Sequence, residues 1–205
     1  MSKLIVISAP SGTGKTSLIK SLIKELDSIN LKLGISFTTR IKRKNEIQGE
    51  SYFFIKHRKF LEMLEKNEFL ENAEVFGNLY GTSKSWVKIQ ISKGFQVLLE
   101  LDWQGALQVK STYPDCLTIF VLPPSYRELE ERLSKRGQDS KKVINKRLSK
   151  AKKEVLEGID FDFVIVNDVF EKAVEDLKTI VQDKNDLSQE RRDLVKHTLQ
   201  VLLKK

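Results

Sequence analysis

Short apolar stretches alternate with helical patterns along this chain. Residues 4–7, 95–102, 116–121 and 163–168 are mostly apolar, and the second and fourth of these end in acidic residues. Such runs are typical of strands that are buried on both faces. Residues 17–26 instead place apolar side chains at the spacing of a helix that buries one face. This alternation predicts an α/β fold with a parallel sheet flanked by helices.

The region from about residue 35 to 83 is richer in short extended pieces and has less regular helices. Residues 38–50 are polar, strongly charged and without periodicity, as in a loop that faces solvent or a ligand. We predict a small mixed α+β insertion here. Strands are expected in residues 30–37, 51–55 and 72–80, and helices in residues 59–67, 82–93, 104–111 and 171–183, with a long charged helical stretch capped by Ser125.

Composition narrows the function classes. The chain has 205 residues, 40% hydrophobic and 31% charged, with no apolar run near the ~20 residues of a membrane span. The apolar run that follows Lys3 is too short for a signal peptide, so we expect a cytoplasmic protein. Cys116 is the only cysteine and is expected to be a small buried hydrophobe. The net charge of +8 is compatible with nucleic acid or with a small polyanionic substrate, and the second is favoured because aromatic and basic residues do not interleave.

The strongest motif follows the first apolar run. Glycines there let backbone N–H groups surround an anion, the start of the next helix adds its dipole, and a lysine adds a mobile positive charge. The first position of the usual pattern is Gly, and here it is Ala9, which requires a negative φ. Thr16 offers a hydroxyl oxygen for Mg²⁺. The predicted phosphate-binding loop consists of Ala9, Pro10, Ser11, Gly12, Thr13, Gly14, Lys15 and Thr16.

Further motifs resemble those of the guanylate kinase family, in order and with the same spacing over about residues 3–185. Thr38-Thr39-Arg40-x-x-Arg43-x-x-Glu46-x-x-Gly49-x-x-Tyr52-x-Phe54-Ile55 looks like the signature of that family. Later blocks are also similar: Phe69-Leu70-Glu71-x-Ala73-Glu74-x-x-Gly77-Asn78-x-Tyr80-Gly81-Thr82, Asp102-x-Gln104-Gly105, Pro123-Pro124-Ser125, Arg132-Leu133-x-x-Arg136-Gly137, Lys146-Arg147-Leu148 and Ile165-Val166-Asn167-Asp168.

The resemblance implies that ATP phosphorylates GMP, and with it dGMP, giving ADP and GDP. It implies a P-loop fold whose core comprises residues 1–34, 84–124 and 159–185, with a GMP-binding subdomain at 35–83 and a helical lid at 125–158. Glu71 would accept the N1–H and N2–H₂ donors of guanine, with Ser36 and Thr82 near O6. Taken alone, Glu71 would more often be a surface acid at a helix end. The implied GMP-binding residues are Ser36, Arg40, Arg43, Tyr52, Glu71, Tyr80, Gly81, Thr82, Glu100 and Asp102.

On the ATP side, the resemblance adds Arg132, Arg136 and Asn167 to the phosphate loop. Lys15, Arg40, Arg136 and Arg147 would be the catalytic residues, and Mg²⁺ bound with ATP would contact Thr16 and Asp102. Glu100 stands where the family more often has Asp, so its role between metal and substrate stays open.

Some alternatives remain open. One is a catalytically inactive guanylate-kinase-like module that binds proteins, which the intact phosphate loop disfavours. ATP and GMP are the expected partners, without a stable nucleic-acid or membrane complex, in a monomer or a homodimer. Residues 186–205 are expected to form a basic amphipathic helix that packs on its own domain, with a dimer contact or a membrane-surface contact as alternatives.

Overall fold

Two sheets and eight α-helices make up the part of the chain that the computed structural model describes, residues 4–26, 30–135, 140–182 and 187–204. The strands are β1 (Leu4–Ser8), β2 (Leu31–Leu33), β3 (Phe37–Thr38), β4 (Phe53–Phe54), β5 (Phe69–Val75), β6 (Asn78–Ser83), β7 (Gln96–Leu101), β8 (Leu117–Leu122) and β9 (Phe163–Val166). The helices are α1 (Lys15–Glu25), α2 (His57–Glu65), α3 (Lys84–Ser92), α4 (Trp103–Thr112), α5 (Tyr126–Lys135), α6 (Lys141–Glu157), α7 (Phe170–Val181) and α8 (Gln189–Leu203), with a 3₁₀ turn at Gly158–Asp160.

The larger sheet has the strand order β2-β7-β1-β8-β9, and its β2–β7 and β8–β9 pairs are parallel. Every residue of β1 is buried, as are most residues of β7 and β8. The short apolar runs are therefore strands covered on both faces, which confirms the predicted α/β fold.

The smaller sheet is mixed, with the order β4-β3-β6-β5. β3 pairs in parallel with β4 and antiparallel with β6. The sequence pattern predicted one extended piece in residues 72–80, but the structure has an antiparallel hairpin of β5 and β6. Its turn contains Phe76 at φ 51° and Gly77 at φ 75°. Two successive positive φ values suit the twist of a tight hairpin, but an aromatic residue at the first of them is an unusual sequence signal.

Side-chain caps fix where several helices begin. Residue 82 was predicted to start a helix, but Thr82 lies in β6, and the Ser83 side chain caps α3 by accepting from the N–H of Trp86. Ser125 caps α5 as predicted, because its Oγ accepts from the N–H of Glu128. Asp102 caps α4 by accepting from the N–H of Gly105. The last residue of β6 and the residue that follows β7 thus also define where the next helices begin.

The chain divides into two compact units, each with its own apolar cluster. One comprises Ile7–Ser28 and Leu117–Lys205 and contains α1 and α5–α8; the other comprises Ser2–Val6 and Ile29–Cys116 and contains the mixed sheet. In the first, Leu129 and Leu133 of α5 pack with Ile144 and Ala151 of α6. In the second, Phe60, Met63 and Phe69 form a cluster that stacks two aromatic rings. Cys116 is buried, as expected.

The last helix packs on its own unit. Arg191, Thr198 and Leu202 of α8 are buried, which agrees with the first of the three alternatives for this segment. Among the described residues, no helix is both long and apolar enough to cross a bilayer.

Candidate nucleotide-binding sites

The loop between β1 and α1 has the backbone of an anion-binding loop. Gly12 and Gly14 have φ values of 100° and 103°, which L-residues other than glycine rarely adopt. Ala9 is not among the described residues with positive φ, which confirms the expectation for this position. Gly14 is the N-cap of α1, and the first turn of that helix contains no acidic residue. The N-terminus of α1 therefore combines the positive end of the helix dipole with the side chains of Lys15 and Thr16. Such a helix N-terminus is suited to bind phosphate.

Two predicted ATP-site residues support this loop from outside. The backbone oxygen of Thr13 accepts from Asn167 Nδ2 at 2.6 Å and from Arg132 Nη1 at 3.1 Å. Arg132 also donates to the backbone oxygen of Asn167 at 3.0 Å. A Cβ on Gly14 would lie 2.7 Å from Asn167 Nδ2. The positive φ of Gly14 and the close approach of the Asn167 amide both favour glycine at position 14.

The helices of the predicted lid contribute one more arginine. Arg147 of α6 donates from Nη1 to Ser11 Oγ of the phosphate loop at 3.2 Å. Arg127 is 89% exposed and pairs with Glu131 one turn away, so it belongs to the solvated face of α5. Arg136 and most of the predicted break between the helices, residues 137–140, lie outside the described residues. Arg132 and Arg147 are therefore the two predicted lid arginines that the structure brings to the loop.

A buried acid occupies the other unit. Glu71 lies on β5 with 3% of its surface exposed, so it is not a surface acid at a helix end. Burial raises the pKa of Glu71 to about 7, with a smaller contribution from the nearby Asp102 carboxylate, although Thr82 donates a hydrogen bond that favours the charged form. The second acceptor, Oε1, is buried without a hydrogen-bond partner. A buried carboxylate oxygen without a donor is costly unless a ligand supplies one.

The three predicted guanine-binding residues lie next to one another. Ser36 Oγ and Thr82 Oγ1 are 3.1 Å apart in a buried pair, and Thr82 also bonds to Glu71. β3 and β6 pair directly, and β6 pairs with β5. Glu71 on β5, Thr82 on β6 and Ser36 just before β3 thus bring an acceptor and two hydroxyls together, although these residues lie far apart in the sequence.

Gly105 makes room for this carboxylate. A Cβ at this position of α4 would lie 2.6 Å from Glu71 Oε2. Asp102 Oδ1 accepts from the N–H of Gly105 at 3.0 Å and so fixes the first turn of α4 beside Glu71. The Asp102-x-Gln104-Gly105 motif therefore lies beside the Glu71 carboxylate.

The charged loop after β3 is ordered by an ion pair. Arg40 Nη2 lies 2.6 Å from Glu46 Oε1, and the other oxygen of Glu46 accepts from the N–H of Arg43 at 2.8 Å. The Arg40 guanidinium also lies over the rings of Tyr52 and Phe54, with centroids at 5.5 and 5.7 Å. Burial alone would lower the pKa of Arg40, but its bonds with Glu46 and its proximity to Tyr80 raise it. The guanidinium is thus held in place and always charged.

Two tyrosines and an acid among the remaining predicted GMP-binding residues lie close to one another. The rings of Tyr52 and Tyr80 are 5.9 Å apart in an edge-to-face arrangement. Burial raises the pKa of Tyr52, and the Glu100 carboxylate raises it further, so Tyr52 keeps its proton as a hydrogen-bond donor. Arg43 is exposed, and a Cβ at Gly81 would lie 2.7 Å from the ring of Phe69. Glu100 is half-buried at the end of β7, within electrostatic range of Tyr52.

Glu46 and Gly105 have roles that the sequence reasoning missed. Both belong to the quoted motifs, but neither was assigned a function. The spacing of Glu46 after Arg40 and Arg43 offered a signal, because an acid in a basic loop can pair with its arginines. For Gly105, no sequence signal indicated that Glu71 would lie opposite.

Thr16 and Asp102, the two residues predicted to contact a divalent cation, lie in different compact units. A hydroxyl and a carboxylate oxygen are the ligands that Mg²⁺ prefers. Asp102 Oδ2 lies 3.4 Å from Gln104 Nε2, and its other oxygen caps α4. Over the described ranges, no group of three or more His, Cys, Asp or Glu residues could hold a metal by itself.

The parallel sheet and the glycine-bearing loop that caps α1 define a P-loop nucleotide-binding protein. The family model for guanylate kinase matches residues 1–184. A guanylate kinase of Vibrio cholerae is 48% identical over 179 residues, 87% of this chain and 86% of that protein. One from Nitrosomonas europaea is 50% identical over 182 residues, 89% of this chain and 90% of that protein.

A solved structure agrees with these sequence comparisons. The crystal structure of guanylate kinase from Anaplasma phagocytophilum matches with a TM-score of 0.73 and 29% identity, over 95% of this chain and 93% of that one. The chain belongs to the guanylate kinase family, whose members are nucleoside monophosphate kinases that transfer a phosphoryl group from ATP to GMP.

Proposed function

We propose that the two residue sets described above divide the two substrates of this reaction between them. The loop from Ala9 to Thr16, with Arg132, Arg147 and Asn167 around it, holds ATP. The pocket of Glu71, Ser36 and Thr82, with the arginine and tyrosine side chains of the neighbouring loop, holds GMP. The buried Glu71 oxygen without a donor, beside the Ser36–Thr82 hydroxyl pair, is the observation that carries this assignment.

Guanine satisfies that pocket and adenine does not. The N1–H and N2–H₂ groups of guanine donate to an ionised Glu71, while the hydroxyls of Ser36 and Thr82 meet O6. Adenine has a lone pair at N1 and an amino group at C6, so a carboxylate would face a lone pair. A pocket built on such bonds can reject the wrong base by up to ~10⁴-fold, because its own polar groups are left unpaired.

The basic loop holds the GMP phosphate. Arg40 and Arg43 supply guanidinium forks for phosphate oxygens, and Tyr52 and Tyr80 supply hydroxyl donors. Gly81 follows Tyr80 on β6, and the Glu100 carboxylate lies near Tyr52. We assign residues 35–83 as the GMP-binding subdomain and residues 125–158 as the lid, with Arg136 as a further lid arginine.

The transfer needs no covalent intermediate. A phosphate oxygen of GMP attacks the γ-phosphorus of ATP, the bond between that phosphorus and the β–γ bridging oxygen breaks, and ADP leaves with the electron pair. Lys15, Arg40 and the lid arginines stabilise the charge of the group in transfer, so catalysis rests on positioning and electrostatics. Mg²⁺ bound with ATP would neutralise phosphate charge, with Thr16 and Asp102 as its protein-side oxygens.

The partners, the compartment and the oligomeric state of the chain are proposals as well. We propose that ATP and GMP, and with them dGMP, are the partners of this chain in the cytoplasm, as a monomer or a homodimer without nucleic acid or membrane. The support is the pair of nucleotide sites, which accounts for the basic loop without a polyanionic polymer.

A pair of variants tests the division of substrates. Lys15→Ala should abolish turnover, because it removes the mobile charge at the transferred phosphate. Glu71→Gln should raise the KM for GMP by about 100-fold and change the KM for ATP by about 2-fold or less, because the amide presents a donor to guanine donors. A coupled assay of ADP formation, with each substrate varied in turn, measures both effects.

The matched controls are Lys20→Ala, exposed on the same helix, and Glu74→Gln, exposed on the same strand. Both controls should behave as the unmodified chain. Retained turnover in Lys15→Ala would remove the catalytic role of Lys15, and equal KM increases for both substrates in Glu71→Gln would move the guanine site elsewhere. GMP binding without turnover in the unmodified chain would instead favour the protein-binding module.

A further inference from the structure

The C-terminal helix carries a buried arginine that bonds to the end of the last strand. Arg191 of α8 is 7% exposed. Its Nη2 donates to the backbone oxygen of Val166 at 2.8 Å, and its Nη1 donates to Asp168 Oδ1 at 2.9 Å. Nε donates to Asp176 Oδ2 of α7 at 2.7 Å. One guanidinium therefore ties α7, α8 and the end of β9 together.

The residue between the two bonded positions is Asn167. Its N–H donates to the backbone oxygen of Leu122 at 2.9 Å, and its side-chain amide donates to the backbone oxygen of Thr13 at 2.6 Å. Asn167 is thus fixed from the strand on one side and supports the phosphate loop on the other. Arg191 holds the residues immediately before and after it.

From this chain of contacts we infer that Arg191 is a positioning residue for the ATP site: it fixes the backbone on both sides of Asn167, which in turn supports the phosphate loop at Thr13. The inference rests on the assignment of that loop to ATP. It gives α8 a role in catalysis, although this helix lies beyond residues 1–184 that the family model matches. Arg191 acts through Asn167 and does not itself contact a nucleotide.

The geometry of the guanidinium explains why arginine stands here. A planar fork can donate in three directions at once, to Val166, Asp168 and Asp176, whereas a lysine ammonium is a point charge that cannot span all three. Arg191→Lys keeps a cation between the two aspartates, so the helix stays docked. It cannot keep all the hydrogen bonds to Val166 and Asp168, so the backbone around Asn167 is less firmly fixed. Small displacements of a binding loop cost substantial activity.

The test compares Arg191→Lys, Arg191→Met and Arg192→Lys in the full chain. Arg192 is the matched control, because it is the exposed neighbour whose side chain donates to the backbone oxygen of Leu187 and to Gln189 Oε1. The KM values for ATP and GMP are measured well below the thermal midpoint of each variant, and calorimetry measures ATP binding without GMP. We expect Arg191→Lys to raise the KM and Kd for ATP on the order of 10-fold, with about 2-fold or less for GMP.

Arg191→Met should show a larger ATP effect of the same kind, and Arg192→Lys should show none. If Arg191→Met does not fold, Arg191→Lys decides alone. Equal KM increases for ATP and GMP, or unchanged ATP binding in Arg191→Lys, would overturn the inference. Calorimetry of Lys15→Ala distinguishes a failure of the loop assignment from a failure of the Arg191 role. If Lys15→Ala binds ATP as the unmodified chain does, the assignment of the loop to ATP fails. If Lys15→Ala binds ATP weakly while Arg191→Lys binds it normally, only the role of Arg191 fails.

Discussion

At the scale of single residues, Glu71 shows best what the sequence could and could not predict. The family-like motif indicated that this glutamate binds guanine, yet its local sequence was more typical of an exposed acid. The structure places it on a buried strand with a pKa of about 7, raised first by burial. That environment depends on Gly105 and Thr82, which are distant in sequence, so no local pattern could reveal it. The contacts between neighbouring strands, rather than the local secondary-structure propensity, determine the burial and the pKa of this residue.

Gly105→Ala tests the space beside this carboxylate. Alanine in a helix normally stabilises by up to about 1 kcal/mol relative to glycine. Here the added Cβ would lie 2.6 Å from Glu71 Oε2, so the carboxylate must move. We expect a rise in the KM for GMP of about 10-fold, as for a group displaced by a fraction of an ångström. Steady-state kinetics and urea unfolding measure the two effects separately.

Ser111→Ala, at an exposed position of the same helix, is the control for helix propensity alone. It should leave the KM for GMP unchanged. A Gly105→Ala enzyme that gains stability and keeps its KM for GMP would show that the pocket tolerates the methyl group.

At the scale of elements, the loop after β3 is organised by its own acid. Glu46 accepts from Arg40 with one oxygen and from the N–H of Arg43 with the other. Burial alone would raise the pKa of Glu46, but its bonds with Arg40 and Arg43 lower it, so the pair stays ionised at neutral pH. The sequence pattern described this stretch only as polar and irregular. A loop without hydrophobic periodicity can still be ordered by a few charged contacts. The hydrophobic pattern of the sequence gives no information about such contacts.

Glu46→Gln should therefore weaken the GMP phosphate site. The amide cannot form the charged pair with Arg40, so the guanidinium loses its fixed position. We expect the KM for GMP to rise by about 10-fold, with little change in the KM for ATP, measured by the same coupled assay. Glu50→Gln, exposed in the same loop, is the control and should have no effect. An unchanged KM for GMP in Glu46→Gln would assign the phosphate to other side chains.

At the scale of the whole molecule, the order of elements could be predicted because buried parallel strands have a simple apolar pattern. β1, β7, β8 and β9 all lie within or next to the predicted runs. The hairpin of β5 and β6 and the network around Arg191 could not be predicted, because both depend on contacts between distant residues. The sequence thus indicated the scaffold and the motifs, while packing determined how the motif residues support one another.

The free energy of unfolding should depend on pH because of Glu71. Its pKa in the folded chain is about 7, above the ordinary value of 4.5. The folded state therefore keeps a proton that the unfolded chain has released, so this contribution is complete below pH 4.5 and is lost as the pH rises through about 7. A shift of this size corresponds to roughly 3 kcal/mol.

Urea unfolding of the unmodified chain and of Glu71→Gln from pH 5 to 8 measures this contribution. Because glutamine does not titrate, the difference in unfolding free energy should move in favour of the variant as the pH rises. Parallel pH profiles for the two proteins would contradict a raised pKa at Glu71.

The most direct test of the account compares acceptors. With ATP as donor, the unmodified chain is assayed with GMP, AMP, CMP and UMP at matched concentrations. The pocket of Glu71, Ser36 and Thr82 predicts that kcat/KM for GMP exceeds that for AMP by at least about 10³-fold. An AMP value within about 10-fold of the GMP value would contradict the guanine pocket, because a site built on those hydrogen bonds could not accept both bases so nearly alike.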